Sequence, residues 1–354
     1  MKAVIVGGGP AGLITGLLLA QRSHRPLILE QQPSIQSTAC AEGCDRASLE
    51  HLPFDVEPYV QNETAGAHIV FPGNNFFTVH IPGVVLDRTA WLRGLAAALE
   101  RQGGTIRLNA RVQRIREREV ELDGGERVPF DVLVGADGPF SVVRKHLGFP
   151  VELICGVQYK LDGEAGDRYL RFYFDKRFSS HYAWVFPKRD SLNVGLAGKF
   201  SQLDAFLEHL DLNHCPRLER QAGGIPVSGV PPTIVKGRVA LIGDAASMTN
   251  ALSGGGLGPI IYAARMLADN IHRLRDYQRQ VHRHPLAHAD IVRGKNVLVS
   301  MSDRDLQKMG SLFNGMDLGQ VRRRDMAGIL RYPLLIRKFV VLGRGVQLTM
   351  RWGW

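Results

Sequence analysis

Gly7-Gly8-Gly9-Pro10-Ala11-Gly12 fits the pattern G-x-G-x-x-G near the start of the chain. Gly7 permits a tight turn, Gly9 lets the backbone approach a pyrophosphate, and Gly12 lets a helix lie close on the strand before it. The first N–H groups of the helix that follows, with its positive dipole end, face an anion. Glu30 follows at the end of a second apolar run, where a carboxylate accepts hydrogen bonds from ribose hydroxyls. This is dinucleotide-binding chemistry. Two further acids, Asp137 and Asp244, each follow an apolar run and sit beside glycine, Gly138 and Gly243. A short acid there can accept from hydroxyls, although each segment alone also reads as an ordinary strand-to-turn junction.

A second group of residues offers substrate chemistry. Cys40 reads either as a site thiol or as a small buried hydrophobe. Glu42 is a candidate proton donor, provided that burial raises its carboxyl pKa; otherwise it is a loop or cap residue. Tyr182, Trp184 and Phe186 alternate on a strand and so project to one face, as an apolar wall or as ordinary sheet core. His272, His282, His284 and His288 include an i, i+4 pair but lack a Cys or acid constellation, and Cys40 and Cys44 have no second pair, so no metal is expected. There is no G-x-S-x-G elbow.

These residues need elements to position them. Ala3–Val6, the glycine loop, a helix over Leu13–Gln21 and a run at Pro26–Glu30 make a βαβ start. Residues 31–87 read as irregular, with alternating pieces at His68–Phe71 and Phe76–Ile81. A helix is predicted over Thr89–Gln102, stopped by Gly103-Gly104. Strands follow at Thr105–Val112, Glu119–Leu122 and the buried Val132–Gly135. Tyr169–Phe174, Tyr182–Phe186 and Leu192–Ala197 suggest an antiparallel sheet. Val239–Ile242 returns to a buried parallel-type strand before a helix from about Ile260 to Leu274.

The chain has 354 residues with a globular balance, 45% hydrophobic and 22% charged, so it can bury a sizeable core. Four sparse cysteines fit a reducing, cytoplasmic setting. Lys2 and the uncharged run behind it imitate a signal peptide, but glycines and Pro10 interrupt the run, and no stretch of about 20 apolar residues is present. The net charge of +10 is concentrated late: Arg322 to Trp354 holds eight Arg or Lys against one acid, Asp325, interleaved with Ile329, Leu330, Leu334, Phe339 and Val340. Such a tail reads as a helix docked on the body with a solvated basic face, or as a segment able to lie on an anionic membrane surface. No nucleic-acid motif is visible. Nothing in the sequence fixes an oligomeric state.

Several segments carry a resemblance. Val134-Gly135-Ala136-Asp137-Gly138-Pro139 and Gly237 through Gly243-Asp244-Ala245-Ala246 resemble the Asp-Gly and Gly-Asp motifs of flavoprotein monooxygenases and their relatives. Cys40-Ala41-Glu42-Gly43, Tyr182-Ala183-Trp184-Val185-Phe186-Pro187-Lys188 with Gly195, and Asn250 with Ser253-Gly254-Gly255-Gly256 resemble segments of the geranylgeranyl reductases. Ala251 departs from the proline usual in that last loop. The resemblance covers residues 1–275 and the tail poorly.

It implies FAD, held by Gly7, Gly9, Pro10, Ala11, Gly12, Glu30, Arg88, Val112, Asp137, Gly243, Asp244, Gly254, Gly255, Gly256 and Leu257. Arg88 has a plainer reading too, as the first helical residue after an Asp87 cap. NAD(P)H, lacking a second fingerprint, would be a transient electron donor or be replaced by a protein. Cys40, Glu42, Tyr182 and Trp184 are the catalytic candidates. The expected fold is α/β with an α+β insert: a Rossmann-type FAD-binding domain over 1–150 and 236–275, an antiparallel-sheet substrate region over 151–235, and a helical basic region over 276–354. The activity implied is reduction of a carbon–carbon double bond in a prenyl or other apolar small molecule. The alternatives are a flavin monooxygenase or halogenase, and a non-catalytic flavoprotein or membrane-surface binding protein.

Overall fold

The computed structural model describes residues 1–163, 168–320 and 325–352. Its nucleotide half is a six-stranded sheet in the order Val235–Lys236, Val239–Leu241, Val132–Gly135, Ala3–Val6, Leu27–Leu29, Thr105–Arg107. All pairings are parallel except that of the edge strand Val235–Lys236. Ala3–Val6 and Val132–Gly135 are unbroken apolar runs buried along their whole length, as a sheet covered on both faces requires. Helix Pro10–Ala20 begins at the proline, three residues earlier than the apolar run suggested, because proline is preorganised for the first helical position. It is buried nearly all round, between helices Arg88–Arg101 and Leu257–Asp269. A three-stranded antiparallel ribbon, Val112–Ile115, Glu119–Leu122 and Arg127–Pro129, follows strand Thr105–Arg107 in the chain.

The second sheet has seven strands, in the order Arg217–Pro226, Leu153–Asp162, Ser191–Ala197, Ala183–Pro187, Tyr169–Tyr173, Gly66–Phe71, Asn75–Val79. It is wider than the 151–235 segment in which the sequence placed it, since two strands come from the stretch read as irregular. It is also not purely antiparallel: Tyr169–Tyr173 runs parallel to Gly66–Phe71. The strands Leu153–Asp162 and Arg217–Pro226 escaped the sequence pattern for a physical reason. The first carries inward polar residues such as Gln158, and the second is an edge strand, largely polar and exposed.

Alternation splits this sheet into two faces. Val157, Tyr159, Ala183, Val185 and Val194 pack against Phe206 and Leu203 of helix Phe200–His209. Leu170, Phe172, Tyr182, Trp184 and Phe186 face the other way. A small sheet of Gly43–Asp45, Gly83–Leu86 and Val60–Thr64 follows the Cys40 segment in the chain.

The rest of the chain is helical: Leu274–Arg283, Ala289–Ser300, Asp303–Phe313 and Ile336–Trp352. The last helix crosses Ala289–Ser300 at Gly345, where a Cβ would stand 2.8 Å from the Asp290 carbonyl. It buries Phe339, Leu342 and Thr349 and exposes Arg337, Val340, Arg344 and Arg351. Before it, Leu330 and Leu334 are 73% and 93% exposed. Arg322, Arg323, Arg324 and Trp354 of the basic tail lie outside the described residues. No helix among the described residues is long and apolar enough to cross a membrane.

Candidate active site

A cavity of about 1040 Å³ is shared by the two sheets. On the nucleotide side its lining follows the C-terminal ends of successive parallel strands: Gly7 to Ala11, Glu30, Asp137 and Asp244, the place where open parallel sheets bind ligands. On the other side stand Phe172, Tyr182, Trp184 and Phe186, with Cys40, Glu42 and Arg88 between.

The glycine loop is held by neighbours that forbid a side chain. Gly7 adopts φ 103°, and a Cβ there would lie 2.4 Å from the Ala136 carbonyl oxygen. A Cβ at Gly9 meets nothing within 4 Å and would point into open space. Gly9 caps helix Pro10–Ala20 with no side-chain hydrogen bond, and Gly256 does the same for helix Leu257–Asp269. Two helix N-termini with uncapped N–H groups therefore border one cavity, a donor set suited to an anion such as a dinucleotide pyrophosphate. Glu30 accepts from the Gly8 N–H at 2.6 Å and the Gln32 N–H at 2.8 Å, and each carboxylate oxygen keeps a lone pair for a hydroxyl. Val112, Gly254, Gly255 and Leu257 also line the cavity. The residues present fit FAD.

Three residues expected to hold the cofactor act differently in detail, Gly12 through the close packing its place in the loop suggested. Gly12 and Gly243 do not line the cavity; Gly12 lies against the Gly7 carbonyl, and Gly243 against Ala11. Both act by letting the helix approach, so their contribution to the cofactor is indirect. Asp137 does line it, but its oxygens accept from Ser141 Oγ at 2.5 Å and from the Val142 and Val143 N–H groups at 2.6 and 3.2 Å. Its carboxylate is occupied in starting helix Val142–Leu147.

Asp244 is the acid that remains open to the cavity, accepting from Thr249 Oγ1 at 2.7 Å. Burial pushes its carboxyl above the ordinary range, against the pull of Thr249, Arg88 and Arg144. Arg144 is 5% exposed and donates to the Pro139 carbonyl at 2.6 Å; burial lowers its pKa. Arg88 satisfies both of its readings: Asp87 caps its helix through the Ala90 N–H, and the guanidinium reaches Cys40 Sγ at 2.9 Å.

The Cys40–Gly43 segment is gripped from the large sheet. Gln158 Nε2 donates to the Cys40 carbonyl at 2.9 Å, and Asn193 Nδ2 to the Ala41 carbonyl at 3.1 Å. Glu42 has φ 71°, a left-handed conformation rare for its type. Its carboxylate meets Lys188 Nζ at 2.5 Å and Asn193 Nδ2 at 3.0 Å, with side chains only 13% and 7% exposed for Glu42 and Lys188. The proton-donor reading of Glu42 is conditional on desolvation of its carboxyl; the residue is one half of a buried ion pair. Tyr182, Trp184 and Phe186 do share one face, as alternation required, and the Tyr182 hydroxyl lies against Gly254, where a Cβ would come within 2.0 Å. Burial pushes the Tyr182 phenol up.

Sequence reading missed Gln158, Asn193, Thr249 and the role of Lys188. The available signal was a polar residue at an inward strand position, Gln158 between Val157 and Tyr159 and Asn193 between Leu192 and Val194; such a group must find partners. The histidines each have local contacts: His284 and His288 accept from the Leu286 and Asp290 N–H groups, His282 meets the Pro231 carbonyl, and His272 packs on His24. No cluster able to hold a metal exists among the described residues.

Comparison with known proteins places this geometry. Residues 45–270 match the family model described as FAD dependent oxidoreductase, and residues 1–54 match FAD binding domain. Digeranylgeranylglycerophospholipid reductase 1 of Methanopyrus kandleri is 29% identical, over 75% of this chain and 79% of its own. Digeranylgeranylglycerophospholipid reductase of Methanothrix thermoacetophila is 27% identical, over 94% and 95%. A solved geranylgeranyl bacteriochlorophyll reductase-like protein from Thermoplasma acidophilum superposes with a TM-score of 0.85 at 23% identity, covering 96% of this chain and 98% of that one. The resemblance to geranylgeranyl reductases read from Cys40–Gly43 and Tyr182–Lys188 stands with these relatives.

Proposed function

We propose that this chain, which belongs to the FAD dependent oxidoreductase family, reduces carbon–carbon double bonds in prenyl chains, a reading supported by relatives named as digeranylgeranylglycerophospholipid reductases. The observation that carries the reading is the pairing of an anion-binding glycine cradle with an aromatic wall in one cavity. When bound and reduced, FAD supplies a hydride, and the protein supplies binding, orientation and exclusion of water. Gly9, Glu30, Asp244 and Gly256 would hold the cofactor through backbone N–H groups and carboxylates. Tyr182, Trp184, Phe186 and Phe172 give an isoprenoid chain an apolar surface and displace water from it.

A proton must accompany the hydride. Cys40 is the group on the cavity wall that we assign to carry it. Its sulfur accepts from Arg88 Nη1 at 2.9 Å and from the Glu42 N–H at 3.2 Å, two donors that stabilise the charge left when a proton departs. The Lys188–Glu42 pair holds the segment that presents this thiol.

The test is anaerobic incubation of dithionite-reduced protein with a digeranylgeranyl glycerophospholipid. Mass spectrometry should show gain of two hydrogens per double bond, and Cys40→Ala should slow it about 100-fold or more. Rapid oxygen uptake coupled to an oxygenated product would replace the reading with a monooxygenase. No second nucleotide cradle is evident among the lining residues, so NAD(P)H enters this proposal only as a transient donor.

The substrate class carries a location. The outer face of helix Ile336–Trp352, with Arg337, Arg344 and Arg351 around Val340 and Leu330 and Leu334 beside it, suits an anionic lipid surface. Vesicles of anionic phospholipid should pellet the protein, and Arg337→Gln with Arg344→Gln should reduce pelleting. Equal pelleting with neutral vesicles would discard this part.

A further inference from the structure

We propose that Gln158 positions the aromatic wall of the site, acting through Trp184. Strand register sets Trp184, Gly195, Gln158 and Gln221 in one row across four neighbouring strands. Gly195 leaves a gap in that row, and the indole of Trp184 lies in it: a Cβ on Gly195 would stand 2.4 Å from Trp184 Cζ2. The indole thereby reaches past one strand and donates to Gln158 Oε1 at 2.8 Å.

An indole N–H only donates, so this bond decides which end of the carboxamide faces it. The other end, Nε2, donates to the Cys40 carbonyl at 2.9 Å and to Gln221 Oε1 at 2.9 Å. Gln221 in turn donates to the Glu219 carboxylate at 2.8 Å. One line of donors thus runs from Trp184 through Gln158 and Gln221 to Glu219, an arrangement in which each bond polarises the next. Gln158 is 2% exposed and lines the cavity, so a lost partner there leaves a buried polar group unsatisfied. One carboxamide thus fixes both a ring of the wall and the carbonyl of the residue that carries the Cys40 thiol. Its place at the substrate side rests on the proposed function; its hold on Trp184 does not.

The test uses FAD-loaded protein labelled with fluorotryptophan, the Trp184 resonance being assigned by its loss in Trp184→Phe. Gln158→Leu keeps the side chain's bulk and removes its hydrogen bonds. The expected result is a shifted, broadened Trp184 resonance with FAD still stoichiometric, and a KM for a digeranylgeranyl glycerophospholipid raised about tenfold. In the Trp184→Phe background the same substitution should raise KM by less than about twofold, the non-additivity of residues acting through each other.

An unmoved Trp184 resonance, or fully additive effects, would overturn the proposal. A fall in kcat at constant KM would also do so, by showing that Gln158 acts through the Cys40 carbonyl and not through Trp184. Should the wild-type protein fail to reduce isoprenoids at all, the proposed function falls, and the resonance alone judges Gln158. Should Gln158→Leu fail to fold, Gln158→Glu serves instead. Its carboxylate still accepts from the indole but faces two acceptors, so the Trp184 shift should be large near pH 8 and shrink near pH 5 as the carboxyl gains a proton to donate. A shift indifferent to pH would count against the proposal.

Discussion

The two sides of the cavity are built from different materials. On the nucleotide side the ligand-facing groups are main chain: the loop of Gly7 to Gly9, the helix starts at Gly9 and Gly256, and a few short acids. On the sheet side they are long side chains joined to one another across strands, with Trp184 on Gln158, Asn193 on Ala41 and Glu42, and Lys188 on Glu42. Each piece of the first kind is specified by a short run of consecutive residues, the fingerprint from Gly7 to Glu30 being the longest. The second joins positions 26 to 152 residues apart. A substitution on the first side should act at one point, on the cofactor or the turn; on the second it should spread through a shared network.

The sharpest contrast lies within the glycine loop. Gly7→Ala forces a side chain into left-handed backbone and against the Ala136 carbonyl, and should leave little folded protein in a denaturation or expression assay. Gly9→Glu puts a side chain into open space; the apoprotein should melt normally yet lose FAD affinity by about 100-fold or more, read by flavin absorbance after gel filtration. If Gly9→Glu kept its flavin, the main-chain account of that side would fail.

On the sheet side the largest effect should come from Lys188→Met. It strands a buried carboxylate, costing about 3 kcal/mol and several degrees in Tm, while Glu42→Gln in the same chain should recover much of the loss. No recovery in the double variant would show that the two residues do not act as a pair. Gly195→Ala should follow at about 1–3 kcal/mol, because the new methyl displaces the Trp184 indole; near-ultraviolet circular dichroism should change while FAD remains bound.

The smallest effect separates stability from binding on the nucleotide side. The Asp244 carboxyl is raised in the fold, so its ionised form disfavours folding, and apoprotein stability should rise as pH falls through that elevated value. Asp244→Asn should therefore stabilise the apoprotein slightly at neutral pH and still weaken FAD retention. Apoprotein that became less stable on this change would reverse the assignment.

The same division explains what the sequence disclosed. The loop Gly7–Gly12, Glu30 and Asp244 were readable because local spacing sets main-chain geometry. Alternation at Tyr182, Trp184 and Phe186 predicted a common face, since strand period needs no partner to be known. It could not predict that Gly195 exists to admit the indole, because that depends on the register of the neighbouring strand. Glu42 was misread for the same reason: the lysine that meets it lies 146 residues away. Gly66–Phe71 and Asn75–Val79 were too short and too mixed to be assigned to a sheet whose other strands come some 90 residues later.

Asn250 shapes the glycine loop beside the cavity, with Oδ1 accepting from the Leu252 and Ser253 N–H groups, and its amide shares two contacts of 3.2 Å with the Thr349 hydroxyl of the last helix. Those partners are 99 residues apart in the chain. At ribosomal speeds of roughly 5–20 residues per second, the loop is synthesised about 5–20 s before the hydroxyl that pins it. The cofactor pocket therefore waits on a residue made long after its own loop, and a chain interrupted before residue 349 carries every cofactor motif without the clasp that sets one of them.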